Sequence, residues 1–246
     1  MPTSKAKAVR GETSKEARSD TRGVLARLKK WCLLALIALF VAPIVLTLFY
    51  SVVPPVSTLM LGRYVQGLWV DRQWVPLDDI SPNLVRSVIT SEDSKFCEIG
   101  GVDWDALGKQ IEVLQEGERP RGASTLTMQT AKNLFLWNDR SFVRKGLEIP
   151  LATLLDAVLS KKRILEIYLN IAEWGEGVFG AEAAAQAWFG KSAKDLTQVE
   201  AARLATSLPN PFLRNPAKPS KGHRRLASTN LSRVKVAGDI FDCVLE

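Results

Sequence analysis

The feature that most constrains this chain is a stretch without charge. Between Lys30 and Arg63 there is no Asp, Glu, Lys or Arg, and "WCLLALIALFVAPIVLTLFY" (31–50) is almost purely apolar. As a helix, a run of about 20 such residues matches the hydrocarbon thickness of a bilayer. Pro43 would kink it, which membrane helices tolerate. The apolar core of a cleaved secretory signal is shorter, about 7–15 residues, and ends in small residues. Here the run continues into Leu48, Phe49 and Tyr50 and then "SVVPPVS". The expectation is a basic tail over 1–30, a retained membrane anchor over 31–52 and an exported domain over 53–246.

Charge sharpens that division. The chain carries a net +7, but nine of its 33 Lys and Arg and only three of its 26 Asp and Glu fall within residues 1–30. The tail therefore holds +6 and the rest +1, so the basicity is local and no nucleic-acid surface is indicated. Lys29 and Lys30 abut the span, which places the tail in the cytoplasm and the residues after the span outside. Cys32 lies in the span. Cys97 and Cys243 could form one bridge in an oxidising compartment, or remain two free thiols, and spacing alone does not choose. One His (His223) and no Cys/His cluster argue against zinc.

In the exported part, residues 53–80 read as an extended connector with a short hairpin around Asp71–Arg72. "SPNLVRSVITSED" begins with Ser81 as N-cap and Pro82 as first helical residue. Leu84, Val85, Val88 and Ile89 share one face, and the next position on that stripe is Glu92. A carboxyl there is at least partly buried, which raises its pKa and suits it to acid–base work; the rival reading is a glutamate fraying at a helix end. Residues 105–121 start helical and end in a charged loop that reads as a mobile flap. "GASTLTMQTAKNLFL" (122–136) passes from a hydroxyl-rich turn capped by Ser124 or Thr125 into an amphipathic helix. Residues 140–180 hold the longest helical pattern outside the membrane, where Arg144 and Lys145 can both reach Glu148. A helix closed by Gly190 and another opened by a Thr197/Glu200 capping box follow. No phosphate loop, dinucleotide fingerprint or nucleophile elbow is present. The domain is mainly α.

Together "EDSKFCEIGGVD", "GASTLTMQTAKNLFL", "RKGLE", "KKRILEIYLNIAEWGEGVFGAEAAAQAWFGK" and "EAARLATSLPNP" resemble, in order, the motifs of the peptidoglycan glycosyltransferase family. The resemblance runs from about residue 53 to about residue 215. The single anchor, with no room for a transpeptidase domain, resembles the stand-alone Gram-negative form. It implies a lysozyme-like fold with a small membrane-proximal lobe, and polymerisation of lipid II into β-1,4 glycan strands with release of undecaprenyl pyrophosphate. By the resemblance Glu92 is the general base and Glu148 the second essential glutamate, near the donor pyrophosphate. Lys132, Arg144 and Lys145 match the bases that neutralise that leaving group, with room for a divalent cation, magnesium or manganese, and no organic cofactor. Ser124, Thr125, Gln129 and Asn133 match the substrate-lining motif, and Tyr168, Asn170 and Gly175 the segment that shapes the cleft. The implied partners are lipid II, the growing strand, the inner membrane and other cell-wall synthesis or division proteins.

Two positions depart from the family pattern. Ile99 stands where the family commonly has His, and Met128 where it commonly has Gln. They keep open an inactive homologue that acts as a scaffold. A wall-cleaving enzyme of the same fold is a third reading, disfavoured because cleavage needs a proton donor to a leaving sugar.

Overall fold

The computed structural model describes residues 4–117, 122, 124–139 and 141–245, with side chains from residue 27 onward. The bases of the tail before Arg27, and residues 118–121 of the expected flap, lie outside the described side chains. The uncharged run is helical throughout, within α1 (Ser4–Tyr50), and Pro43 sits inside the helix without ending it. Arg27–Tyr50 is long and apolar enough to cross a membrane. Its large side chains face outward, Phe40 at 72% exposure among them. That is an unfavourable surface in water and the expected one in lipid. Residues 1–46 form one unit of the chain and 47–246 another.

The second unit begins with a correction. Residues 53–80 are not simply extended, because Thr58–Val65 forms a helix, α2, capped by the Ser57 hydroxyl. Met60 is buried, and the Thr58 hydroxyl donates to the carbonyl of Asn133 at 3.1 Å and to that of Leu136. A short helix with Gly62 inside it has poor intrinsic propensity, so this one is held by tertiary docking. The expected hairpin is also absent. Asp71–Arg72 is a strand, β1, whose partner is remote in sequence.

Ser81 caps α3 (Pro82–Glu92) as its sequence implies, accepting from the Asn83 amide. Leu84, Val85, Val88 and Ile89 are each 0% exposed, and burying four such side chains contributes about 6–12 kcal/mol. Asp103 caps α4 (Trp104–Gln115), and Thr125, rather than Ser124, caps α5 (Leu126–Phe135). The long 140–180 pattern divides into α6 (Phe142–Val158) and α7 (Lys161–Ile171), because Ser160 starts a new N-cap. Then come β2 (Glu173–Gly175) and β3 (Val178–Phe179). β3 is the central strand, antiparallel to β2 and parallel to β1. The turn between β2 and β3 needs Gly177, whose φ is +74° and whose Cβ, if present, would sit 2.3 Å from the Trp69 carbonyl oxygen.

Small residues build the next layer. In α8 (Ala181–Phe189), Ala181, Ala183, Ala184 and Ala185 are fully buried, and Gly190 ends the helix in the left-handed conformation. The Thr197/Glu200 capping box opens α9 (Gln198–Ser207). The chain then continues beyond the recognised motifs into α10 (Lys221–Val236) and α11 (Asp242–Leu245). The Asn230 amide of α10 donates to the Ser87 carbonyl of α3. His223 is buried, its Nε2 2.9 Å from the Arg203 carbonyl and 3.1 Å from the Thr206 hydroxyl, and burial lowers its pKa. The open question about the thiols resolves to a bridge, Cys97–Cys243, at a sequence separation of 146. Closing a loop of that length is worth about 5 kcal/mol in the chain-entropy model. The expectation of a mainly α domain behind an N-terminal apolar helix holds.

Candidate active site

α3 delivers Glu92 at its last turn. The stripe beneath it is buried, but Glu92 itself is half-buried, and burial is the largest influence on its carboxyl, raising the pKa. Hydrogen bonds from Gln129 and Ser91, and the charges of Arg214 and Lys132, act in the opposite direction. Gln129 Nε2 donates to Glu92 Oε2 at 3.1 Å, whereas the Ser91 hydroxyl reaches Oε1 only at 3.4 Å. One carboxylate oxygen is therefore held and the other nearly unclaimed. No described cation lies within ion-pair distance of it.

The next residue fixes the geometry around it. Asp93 Oδ2 accepts from the Leu126 amide at 2.9 Å, tying the end of α3 to the first turn of α5. The Thr125 hydroxyl donates to the Gly101 carbonyl at 2.7 Å and accepts from the Met128 amide. Gly101 must be glycine, because a Cβ there would meet the Ala152 carbonyl oxygen of α6 at 2.5 Å. Glu92, Asp93, Lys95, Asp103, Ser124 and Thr125 border a cavity of about 290 Å³.

A second cavity, of about 590 Å³, is lined by Gln129, Lys132, Asn133, Tyr168, Glu173 and Phe212, among others. Residues 129, 132 and 133 fall one helical turn apart, so α5 turns one polar face to this cleft while Leu126, Ala131 and Leu134 enter the core. The Asn133 Oδ1 is buried and has no partner among the described residues. Lys132 makes no hydrogen bond to a described side chain, and its ammonium is lowered by burial and then by the charge of Arg144. The far wall is clamped. Arg63 donates to both oxygens of Glu173 at 2.9 and 3.0 Å and lies over the Phe212 ring at 5.3 Å.

The second glutamate has a different setting. Glu148 is 3% exposed, with Arg144 Nη1 paired to Oε1 and Lys145 Nζ 2.8 Å from Oε2. Lys145 Nζ also donates to the Ser124 hydroxyl at 2.7 Å, linking α6 to the start of α5. Burial, then the repulsion of Arg144 and Lys132, pull the Lys145 ammonium down to about 8. The spacing argument for this cluster holds in three dimensions.

Not every residue marked in the sequence opens to a cavity. Asn170 is 0% exposed, with Oδ1 accepting from the Val75 amide and Nδ2 donating to the carbonyls of Val75 and Glu166. Its polar atoms tie the connector to α7 and leave none for a substrate. Gly175 makes room for the Trp188 ring, which would lie 3.0 Å from a Cβ. Thr125 borders the smaller cavity, but its hydroxyl is spent within the fold. Met128, where the family commonly has Gln, is 0% exposed in the core, so an amide at 128 would not line the cleft. At Ile99 it is the backbone that engages, its carbonyl accepting from Lys161 Nζ at 2.7 Å.

Two groups near Glu92 escaped sequence reasoning. Asp93 stood in the quoted motif beside Glu92 and could have been singled out. Arg214, anchored through Nη1 to the Thr206 carbonyl at 2.7 Å, lies in an irregular segment with no periodicity to mark it. The described side chains offer a divalent cation no ready-made cage of carboxylates, so one at the pyrophosphate would be held chiefly by the substrate's phosphates. Among the described residues no three His, Cys, Asp or Glu cluster, and Glu148 is already engaged by two cations.

Comparison with known proteins agrees with this architecture. Residues 60–235 match the family model described as Transglycosylase, which reaches 20 residues past the recognised motifs and includes nearly all of α10. The biosynthetic peptidoglycan transglycosylase of Brucella suis biovar 1 (strain 1330) is 54% identical over 211 residues, covering 85% of this chain and 94% of that protein. The protein of that name from Rhizobium leguminosarum bv. trifolii (strain WSM2304) is 52% identical over 222 residues, covering 89% and 95%. That from Rhodopseudomonas palustris (strain HaA2) is 54% identical over 215 residues, covering 87% and 95%.

Proposed function

This chain belongs to the transglycosylase family and is a peptidoglycan glycosyltransferase, and from that premise we propose that it polymerises lipid II into linear β-1,4 glycan strands by a single inverting displacement. Glu92 takes the proton of the acceptor 4-hydroxyl. The acceptor oxygen attacks the donor anomeric carbon from the face opposite the leaving group, the bond to the pyrophosphate breaks, and undecaprenyl pyrophosphate departs. Acid help to that leaving group is unnecessary, because fixed positive charge stabilises it as it forms. Lys132, Arg144 and Lys145 supply that charge, and Glu148 holds the latter two in place.

The observation that carries this reading is the contrast between a carboxyl raised by burial with one oxygen nearly free and a carboxylate saturated by two cations. A base needs the first and a charge scaffold the second. We assign Ser124, Gln129, Lys132, Asn133 and Tyr168 to the walls of the reaction cleft.

The enzyme acts at the inner membrane, its tail in the cytoplasm and its catalytic domain in the periplasm. Lys29 and Lys30 before the span support that orientation, as does a disulfide in the catalytic unit. A reporter fused after residue 246 should be active only in the periplasm, and activity in the cytoplasm would overturn this topology. Incubation of the purified protein with lipid II tests the reaction. Polymer supports the proposal, an inert protein favours a scaffold, and loss of preformed polymer favours a hydrolase.

A further inference from the structure

The Gln129 side chain stands between two groups on two other helices. Its Nε2 donates to Glu92 Oε2 of α3 at 3.1 Å, and its Oε1 accepts from the Tyr168 hydroxyl of α7 at 3.1 Å. Tyr168 is 2% exposed, so its ring is locked in the core and its hydroxyl cannot swing away. We propose that Tyr168 is a positioning residue for Glu92: its buried hydroxyl fixes the Gln129 amide with the donor end turned towards the carboxylate.

A primary amide has a donor end and an acceptor end, which exchange when it turns by 180°. Facing an ionised Glu92, only the donor end is tolerated, and the acceptor end must then find a donor behind it. Tyr168 is that donor, and its phenol stays protonated because burial and then the charge of Glu92 hold its pKa well above the ordinary value. The chain Tyr168 O–H to Gln129 to Glu92 ends on a charge, and charge-assisted bonds are roughly twice as strong as neutral ones. Each bond in such a chain also polarises the next. If Glu92 is protonated the amide can turn over, but every bond is then neutral and the chain is weaker. The hydroxyl therefore favours the ionised carboxylate more than the neutral acid.

Other charges face Glu92 from the elements around it: Lys132 on α5, Arg214 in the segment after α9 and, next to it in sequence, Asp93. None is touched by a change at position 168. The inference rests on the reading of Glu92 as the base for its meaning, but its test does not require turnover. The titration of Glu92 is followed in the full chain in detergent micelles, by the carbon-13 resonance of its side-chain carboxyl, assigned by its loss in Glu92→Gln. Tyr168→Phe should move the Glu92 midpoint up by about half to one pH unit, the equivalent of one neutral hydrogen bond. Gln129→Leu should move it further, and Tyr168→Phe should add nothing in the Gln129→Leu background. If the phenylalanine variant does not fold, a ring-fluorinated tyrosine at 168, a stronger donor of nearly the same shape, should move the midpoint down. The wild-type midpoint in Tyr168→Phe, or an equal shift with and without Gln129, overturns the proposal. Polymerisation of lipid II is measured in parallel. A midpoint that moves in a protein making no polymer removes the base role and leaves the positioning intact, and the reverse pair of results removes only the positioning.

Discussion

Two glutamates of this molecule have opposite surroundings. Glu92 ends a buried stripe, forms an ion pair with no described cation, and has its carboxyl raised by burial. Glu148 is deeper, at 3% exposure, but carries Arg144 on one oxygen and Lys145 on the other. Depth alone therefore does not decide what a carboxyl does. An unpaired one is kept ready to accept a proton, while a doubly paired one serves as a fixed negative charge around which cations are arranged.

The comparison breaks most visibly at Glu92. Glu92→Gln preserves shape and hydrogen bonding but cannot take a proton, so polymerisation should fall at least about a hundredfold, within the usual range for a general base. Stability should move the other way. A carboxyl raised on folding binds its proton more tightly in the folded chain, so stability is lost as pH climbs from the ordinary carboxylate value through the raised one. The amide removes that cost, and Tm near neutral pH should be unchanged or higher. A clear fall in Tm would mean that Glu92 is structural.

At Glu148 the stability sign reverses. Glu148→Gln leaves two partly buried cations without their counter-charge, a change that typically costs about 3–5 kcal/mol. Thermal denaturation should show a Tm several degrees lower, and an unchanged Tm would mean that the pairs contribute nothing to folding.

The bases of that cluster should give a smaller effect. Arg144→Ala or Lys145→Ala should weaken donor use by about 10–100-fold, the worth of a charge-assisted contact. Steady-state kinetics should show this chiefly in the donor KM. A lysine with its pKa near 8 loses charge as pH rises through that value, so the donor KM should climb above pH 8 and cease to do so in Lys145→Arg. If either alanine variant unfolds while activity per folded molecule stays normal, the cluster is only a structural ion pair. The smallest effect belongs to neighbours outside the comparison. Glu98 and Asp105 are exposed, and Glu98→Gln and Asp105→Asn should change the rate by no more than about twofold and stability by less than about 0.5 kcal/mol.

What could be read in the sequence was whatever depends on near neighbours. Ser81, Pro82 and the stripe ending at Glu92 follow from helical periodicity, and Arg144, Lys145 and Glu148 from the three- and four-residue spacing of a helix face. The uncharged span follows from length and composition. What could not be read depends on partners far along the chain. α2 forms because Thr58 finds carbonyls at Asn133 and Leu136. β1 pairs with a strand more than 100 residues away. The Cys97–Cys243 bridge needs a distance that spacing does not contain. The same limit applied at the site. Asn170 and Met128 lie in motifs that look exposed to substrate, yet their side chains turn inward, and Gln129 acquires its link to Glu92 only when α3, α5 and α7 come together.

The pH dependence of lipid II polymerisation, measured on the wild-type protein beside Glu92→Gln, tests the central claim most directly. If Glu92 is the base, the wild-type rate falls on an acid limb whose midpoint lies above the ordinary carboxylate range, and the residual activity of Glu92→Gln lacks that limb. An amide variant that polymerises at close to the wild-type rate, or that keeps the same acid limb, would contradict the claim.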